Sequence, residues 1–147
     1  MIVIISILLE NIFNIYFHNF YNLFTLISLI FINIKEKKKY YLYSFFIGFI
    51  YDIFFTNFIL LNAILFFIIS IVIYYELNTH KKDLFHYVIT GILVIFLYEF
   101  MHFIILNLFQ YTKYSLIEFS FIVRKYLITN IIYLIVLYFI NKKHIIN

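Results

Sequence analysis

Apolar residues run along the chain in six blocks separated by short polar breaks. The first, Met1 to Phe17, is interrupted only by Ser6, Glu10, Asn11 and Asn14, and the second, Phe20 to Ile34, follows the break at His18-Asn19 and ends at Lys35-Glu36-Lys37-Lys38-Lys39. Tyr40 to Phe55, Phe58 to Leu77, Leu84 to Gln110 and Phe119 to Ile140 complete the series. Blocks of this length and apolarity predict membrane helices rather than strands, with approximate spans at 1–17, 20–34, 40–55, 58–77, 84–110 and 119–140. Joined as one helix, residues 40–77 would run about 57 Å, nearly twice the ~30 Å hydrocarbon core, so the chain has to turn near Thr56-Asn57, in a tight hairpin. The first block has neither a basic leading region nor a small-residue cleavage site, and so predicts a retained span rather than a removed signal.

Composition makes the class firm. With 66% hydrophobic and 12% charged residues and a mean hydropathy of +1.03, the chain has too little polar surface to cover a soluble domain, and a single polytopic membrane domain over 1–147 is expected. Its 21 Phe and 15 Tyr accompany abundant Ile, Asn and Lys and a single Ala, Ala63. That is the bias of an AT-rich genome, so aromatic richness alone argues for no ligand. The absence of Cys removes disulfides and thiol ligands, and the absence of Pro removes proline kinks.

In a membrane chain the net charge of +4 reads first as topology, not as affinity for nucleic acid. With a cytoplasmic N-terminus and six crossings, the inner loops hold Lys35, Lys37, Lys38, Lys39, Lys81, Lys82, Lys142 and Lys143, eight of the 11 Lys and Arg. Only Lys113, Arg124 and Lys125 fall at the outer side. This asymmetry follows the positive-inside rule and predicts both termini in the cytoplasm. The Lys35 to Lys39 run reads as a stop-transfer anchor that also suits anionic lipid.

Ionisable residues inside apolar blocks are the candidate chemistry. A carboxylate in hydrocarbon costs roughly 2.5–3.5 kcal/mol, so it is expected to face the protein interior with a partner. Asp52 lies four residues after Gly48, on the same helix face, where the glycine permits close approach of a second helix. Counted from their inner helix ends, Glu10, Asp52 and Glu99 lie roughly 14, 18 and 22 Å deep, and Arg124, about 7 Å inside the outer end of its helix, is at a similar level. The pattern predicts a charged cluster in the outer half of the membrane in which Arg124 pairs with one or more of the acids. Glu10, Gly48, Asp52, Asn62, Glu99 and Arg124 are therefore the candidate structural or interaction residues, with Gly91, the second of two glycines, as another point of close approach. His18, His80, His86, His102 and His144 are scattered. Glu99 and His102 share a helix face but lack the second Glu-x-x-His of a carboxylate metal site, and no nucleophile elbow or phosphate loop is present. Neither catalytic residue, metal nor cofactor is expected.

The stretch Phe46-Ile47-Gly48-Phe49-Ile50-Tyr51-Asp52-Ile53-Phe54-Phe55-Thr56 resembles the most characteristic segment of the MreD family of rod shape-determining proteins, in its Gram-positive form. Leu9-Glu10-Asn11-Ile12-Phe13 is similar to the family's acidic position in the first span, and Tyr98-Glu99-Phe100 to its Leu-Glu-Phe in the fifth. Phe121-Ile122-Val123-Arg124-Lys125-Tyr126 resembles the basic start of the last span, with Val123 where an acid often precedes the arginine. The resemblance implies an all-α six-helix bundle, similar to the substrate-binding components of energy-coupling vitamin transporters, in the bacterial cell membrane. It also implies a non-enzymatic role in cell elongation with MreC, beside RodA, a class B penicillin-binding protein and the MreB cytoskeleton, organising lateral peptidoglycan synthesis. The alternative functions are a vitamin-binding transport component, against which stands the lack of Ala-based docking motifs in the first helix, and a proton-coupled carrier, for which no internal repeat is seen.

Overall fold

The computed structural model describes residues 1–16, 22–56, 60–79, 83–109 and 115–146. Its helices are α1 (Ile2–Tyr16), α2 (Phe24–Ser28, continued by one 3-10 turn Leu29–Phe31), α3 (Lys37–Phe55), α4 (Leu61–Thr79), α5 (Leu84–Leu108) and α6 (Leu116–Ile146). No strand occurs among the described residues. The expected breaks at His18-Asn19, Lys81-Lys82 and 111–114 lie outside them, as does Asn57 of the expected turn. Helix α3 nevertheless ends at Phe55 and α4 starts at Leu61, so the two blocks are separate helices.

Many large apolar side chains face outward while several polar ones are buried, the arrangement lipid favours. On α5, Phe85, Ile89, Ile92, Phe96 and Phe100 are exposed. Their spacing draws one helical stripe. Meanwhile Ser6, Glu10, Thr25, Asp52, Asn62 and Asn130 are buried. On α4 the buried positions Asn62, Ala63, Phe66, Ile69 and Ile73 recur at three- and four-residue steps, giving the inward face. Helices α4, α5 and α6 are each long and apolar enough to cross a bilayer, which with the outward apolar faces makes this an all-α membrane protein.

The second block departs from the expected helix over 20–34. Helical backbone covers only residues 24–31, every one of them buried, and the chain is extended from Ile32. A five-residue helix cannot be stable alone, because nucleation outweighs the few hydrogen bonds it makes. It persists because α1, α4, α5 and α6 pack around it and its 3-10 turn. Irregular backbone in a membrane protein is tolerated only under such cover.

The most extensive helix–helix packing is between α3 and α4 and between α5 and α6. Each pair carries one of the two glycines. A Cβ at Gly48 would lie 2.5 Å from the Asn62 carbonyl oxygen and 2.7 Å from Ala63 Cα. Those are backbone atoms at the start of α4 and cannot move aside, so any side chain at 48 would push the helices apart. Gly91 instead faces the Leu134 side chain of α6. Both glycines thus serve packing inside the bundle.

Candidate functional site

A helix leaves its first backbone N–H groups without intrahelical partners, and in lipid no water can take them. The helices here meet that need in two ways. Near the polar loops the caps are local. The Asp83 carboxylate accepts from His86 N at 3.0 Å to start α5. Ser115 and Glu118 form a reciprocal capping box at α6, with Ser115 N donating to Glu118 Oε2 at 2.7 Å and Glu118 N to Ser115 Oγ at 3.3 Å.

Helices α2 and α4 begin inside the bundle after a leucine, which has no capping oxygen. At α4 the capping position is Leu60, whose carbonyl accepts from Ile64 N and whose φ is 73°, a sparsely populated left-handed geometry for a leucine. Asp52 of α3 supplies the cap. Its Oδ1 accepts from Asn62 N at 3.1 Å, from Asn62 Nδ2 at 2.8 Å and from Thr56 Oγ1 at 2.9 Å, and its Oδ2 accepts from Ala63 N at 3.2 Å. Gly48, one turn earlier, is what lets that first turn come close enough. The Gly-x-x-x-Asp spacing therefore has a local mechanical reason: bare backbone to approach, then a carboxylate to cap.

The same device recurs at α2, whose capping position is Leu23. Glu10 of α1, fully buried, accepts from Thr25 N at 2.9 Å and Thr25 Oγ1 at 2.8 Å through Oε2, and from Tyr51 Oη at 2.7 Å through Oε1. Asn130 of α6 accepts from Leu23 N at 2.8 Å. An anionic or dipolar acceptor at a helix start also suits the positive end of the helix dipole.

Two adjacent residues of α3, Tyr51 and Asp52, join these sites. Tyr51 reaches Glu10, while Asp52 reaches Asn62, whose Oδ1 accepts from Tyr98 Oη of α5 at 2.7 Å. The fully buried Phe66 ring lies between both tyrosines, 5.4 Å from Tyr51 and 6.2 Å from Tyr98 between centroids. Tyr133 of α6 closes on α1 by donating to Ser6 Oγ at 2.7 Å, since the Ser6 hydroxyl proton is given to the Ile2 carbonyl. Together these hydrogen bonds tie all six helices to one another.

The structure brings Gly48, Asp52 and Asn62 into one site and Glu10 into its neighbour. It does not pair Arg124 with an acid. Arg124 is exposed on α6 beside the Phe121 ring, 6.0 Å from its centroid. The one ion pair among the described residues, Lys39 with Glu36 at 2.7 Å, is exposed. Backbone amides and hydroxyls have taken the role expected of the arginine, and they stabilise a buried carboxyl without the cost of desolvating a second charge. Glu99 stands apart: it is buried on α5, and its Oε1 has no hydrogen-bond partner.

These features define a class, an all-α membrane protein in which two interior acids, Glu10 and Asp52, are built into the starts of other helices. The family model for rod shape-determining protein MreD matches residues 1–145, and the chain belongs to that family. Neither a curated protein nor a solved structure gives a match.

Proposed function

We propose that this protein is a non-enzymatic membrane subunit of the cell-elongation machinery that organises lateral peptidoglycan synthesis together with MreC. Membership of a rod shape-determining family over almost the whole chain carries the reading. The use of Glu10 and Asp52 supports it, since both carboxyls are occupied by caps rather than aimed at a transport path. The bundle serves as a docking surface, with its outward apolar faces receiving the single span of MreC and contacts to RodA, a class B penicillin-binding protein and MreB following from that assembly. Affinity purification of the tagged protein from gently solubilised membranes, with mass spectrometry of proteins and small molecules, is the test. MreC with elongation enzymes is the expected recovery. An ATPase pair with a bound vitamin would replace this reading by a transport component similar to those of energy-coupling systems.

The accompanying topology is six crossings with both termini cytoplasmic. Helix α1, 15 residues and about 22 Å, is short for a crossing. The second crossing combines the buried helix with extended chain, which at about 3.3 Å per residue gains length faster than helix does. Because the chain has no Cys, single cysteines can be introduced without background. A cysteine at Lys38 is expected to react with an impermeant thiol reagent only after the membrane is opened, and one at Lys113 in intact spheroplasts. The reverse pattern would overturn the orientation.

A further inference from the structure

Glu99 is the buried acid that the capping network leaves unused. It is only 5% exposed, yet Oε1 makes no hydrogen bond although His102 lies one helical turn away. The residue lines a cleft of about 140 Å³ between α5 and α6, with His102, Phe103, Leu106, Phe119 and Tyr126 among its walls. The Phe103 and Phe119 rings stand 5.0 Å apart at 44°, and the His102 ring is stacked on Tyr98 at 5.7 Å. Leu106 and Phe119 lie within one turn of their helix ends, and Glu99 is about 10 Å deeper along α5.

An unpartnered carboxyl at the base of an aromatic-walled cleft has a specific complement. A carboxylate offers a charge-assisted hydrogen bond, and aromatic faces attract a cation through their quadrupoles. A neutral donor would satisfy the oxygen but gain nothing from the rings. We propose that this cleft binds an organic ammonium group, with Glu99 as its hydrogen-bond and charge partner and Phe103, Phe119 and Tyr126 as its aromatic wall. The group can come from an aminophospholipid headgroup entering near the helix ends or from a small free amine. Both share the same chemistry.

Native mass spectrometry of the full chain, offered an equal mixture of phosphatidylethanolamine and phosphatidylglycerol, tests this. The wild type is expected to retain the amine lipid with a preference of about tenfold, the scale of one charge-assisted hydrogen bond. Glu99→Gln should bring the ratio near unity, Phe119→Leu should lower it partly, and Glu36→Gln, at an exposed acid, should leave it unchanged. Because Glu99 Oε1 makes no internal hydrogen bond, Glu99→Gln is expected to melt at the wild-type temperature; if it does not purify, Phe119→Leu alone carries the test. Displacement of the lipid by millimolar ethanolamine would assign the site to small amines, and resistance to it would assign the site to the headgroup. No preference for the amine lipid in the wild type, a preference that survives Glu99→Gln or, failing that variant, a preference undiminished in Phe119→Leu, would overturn the proposal and leave Glu99 a core residue without a ligand.

Discussion

Replacing Asp52 with alanine is expected to destabilise the bundle by about 3 kcal/mol. The carboxylate accepts four hydrogen bonds, from Asn62 N, Asn62 Nδ2, Thr56 Oγ1 and Ala63 N. At the ~0.6 kcal/mol average of side-chain hydrogen bonds in membrane helices, four sum to roughly 2.4 kcal/mol. Two of the donors are backbone amides at a buried helix start, where an unsatisfied group costs about 1–3 kcal/mol, so the total exceeds the simple sum. Leu60 cannot replace the cap. Asp52→Asn keeps one acceptor oxygen but turns an amide N–H2 toward donors, and about half the loss is expected, with insertion intact and rod-shape complementation weakened. Equilibrium unfolding of the detergent-solubilised protein measures the stability loss of both variants. A change below about 0.5 kcal/mol for Asp52→Ala, the level of an ordinary surface substitution, would contradict the capping role.

Glu10→Ala is expected to cost about 2 kcal/mol, from three lost hydrogen bonds to Thr25 and Tyr51. Its consequence is more local than that of Asp52, because α2 has only five residues and depends on its surroundings for every end group. Asn130 would still hold Leu23 N, so the turn loosens rather than detaches. Tyr51→Phe removes one of the three bonds while keeping the ring against Phe66, and about 0.6 kcal/mol is expected. A Tyr51→Phe loss as large as that of Glu10→Ala would mean that the phenol, not the helix cap, carries the energy.

The sequence was legible where one physical effect dominated. Apolar block length predicted six helical segments and the break between α3 and α4, because hydrocarbon thickness limits a span. Gly48 four residues before Asp52 predicted a close helix approach, and the approach is there. The second block reads as a plain helix because apolarity reports burial, and burial in protein and burial in lipid look alike in composition; residues 24–31 are covered by neighbouring helices. The pairing of Arg124 failed for a related reason. Depth counting places residues along the membrane normal but not around a helix, and Arg124 points outward. Partners such as Thr25, Tyr51, Tyr98 and Asn130 are hidden in the sequence, since hydrogen bonds between distant segments leave no spacing to read. A sharper signal was available in the leucines at the starts of α2 and α4. A helix that begins in an apolar run without Ser, Thr, Asp or Asn at its cap needs an acceptor from elsewhere. Ser115-x-x-Glu118 was likewise readable as a capping box.

Glu10 and Asp52 cap helices begun by other segments, and amide hydrogen exchange tests this central role most directly. In the wild type the Thr25, Asn62 and Ala63 amides are predicted to be protected. Asp52→Ala should release Asn62 and Ala63 while Thr25 stays slow, and Glu10→Ala should release Thr25 while the start of α4 stays slow. Fast exchange at these amides in the wild type, or equal loss at both sites from either substitution, would contradict it.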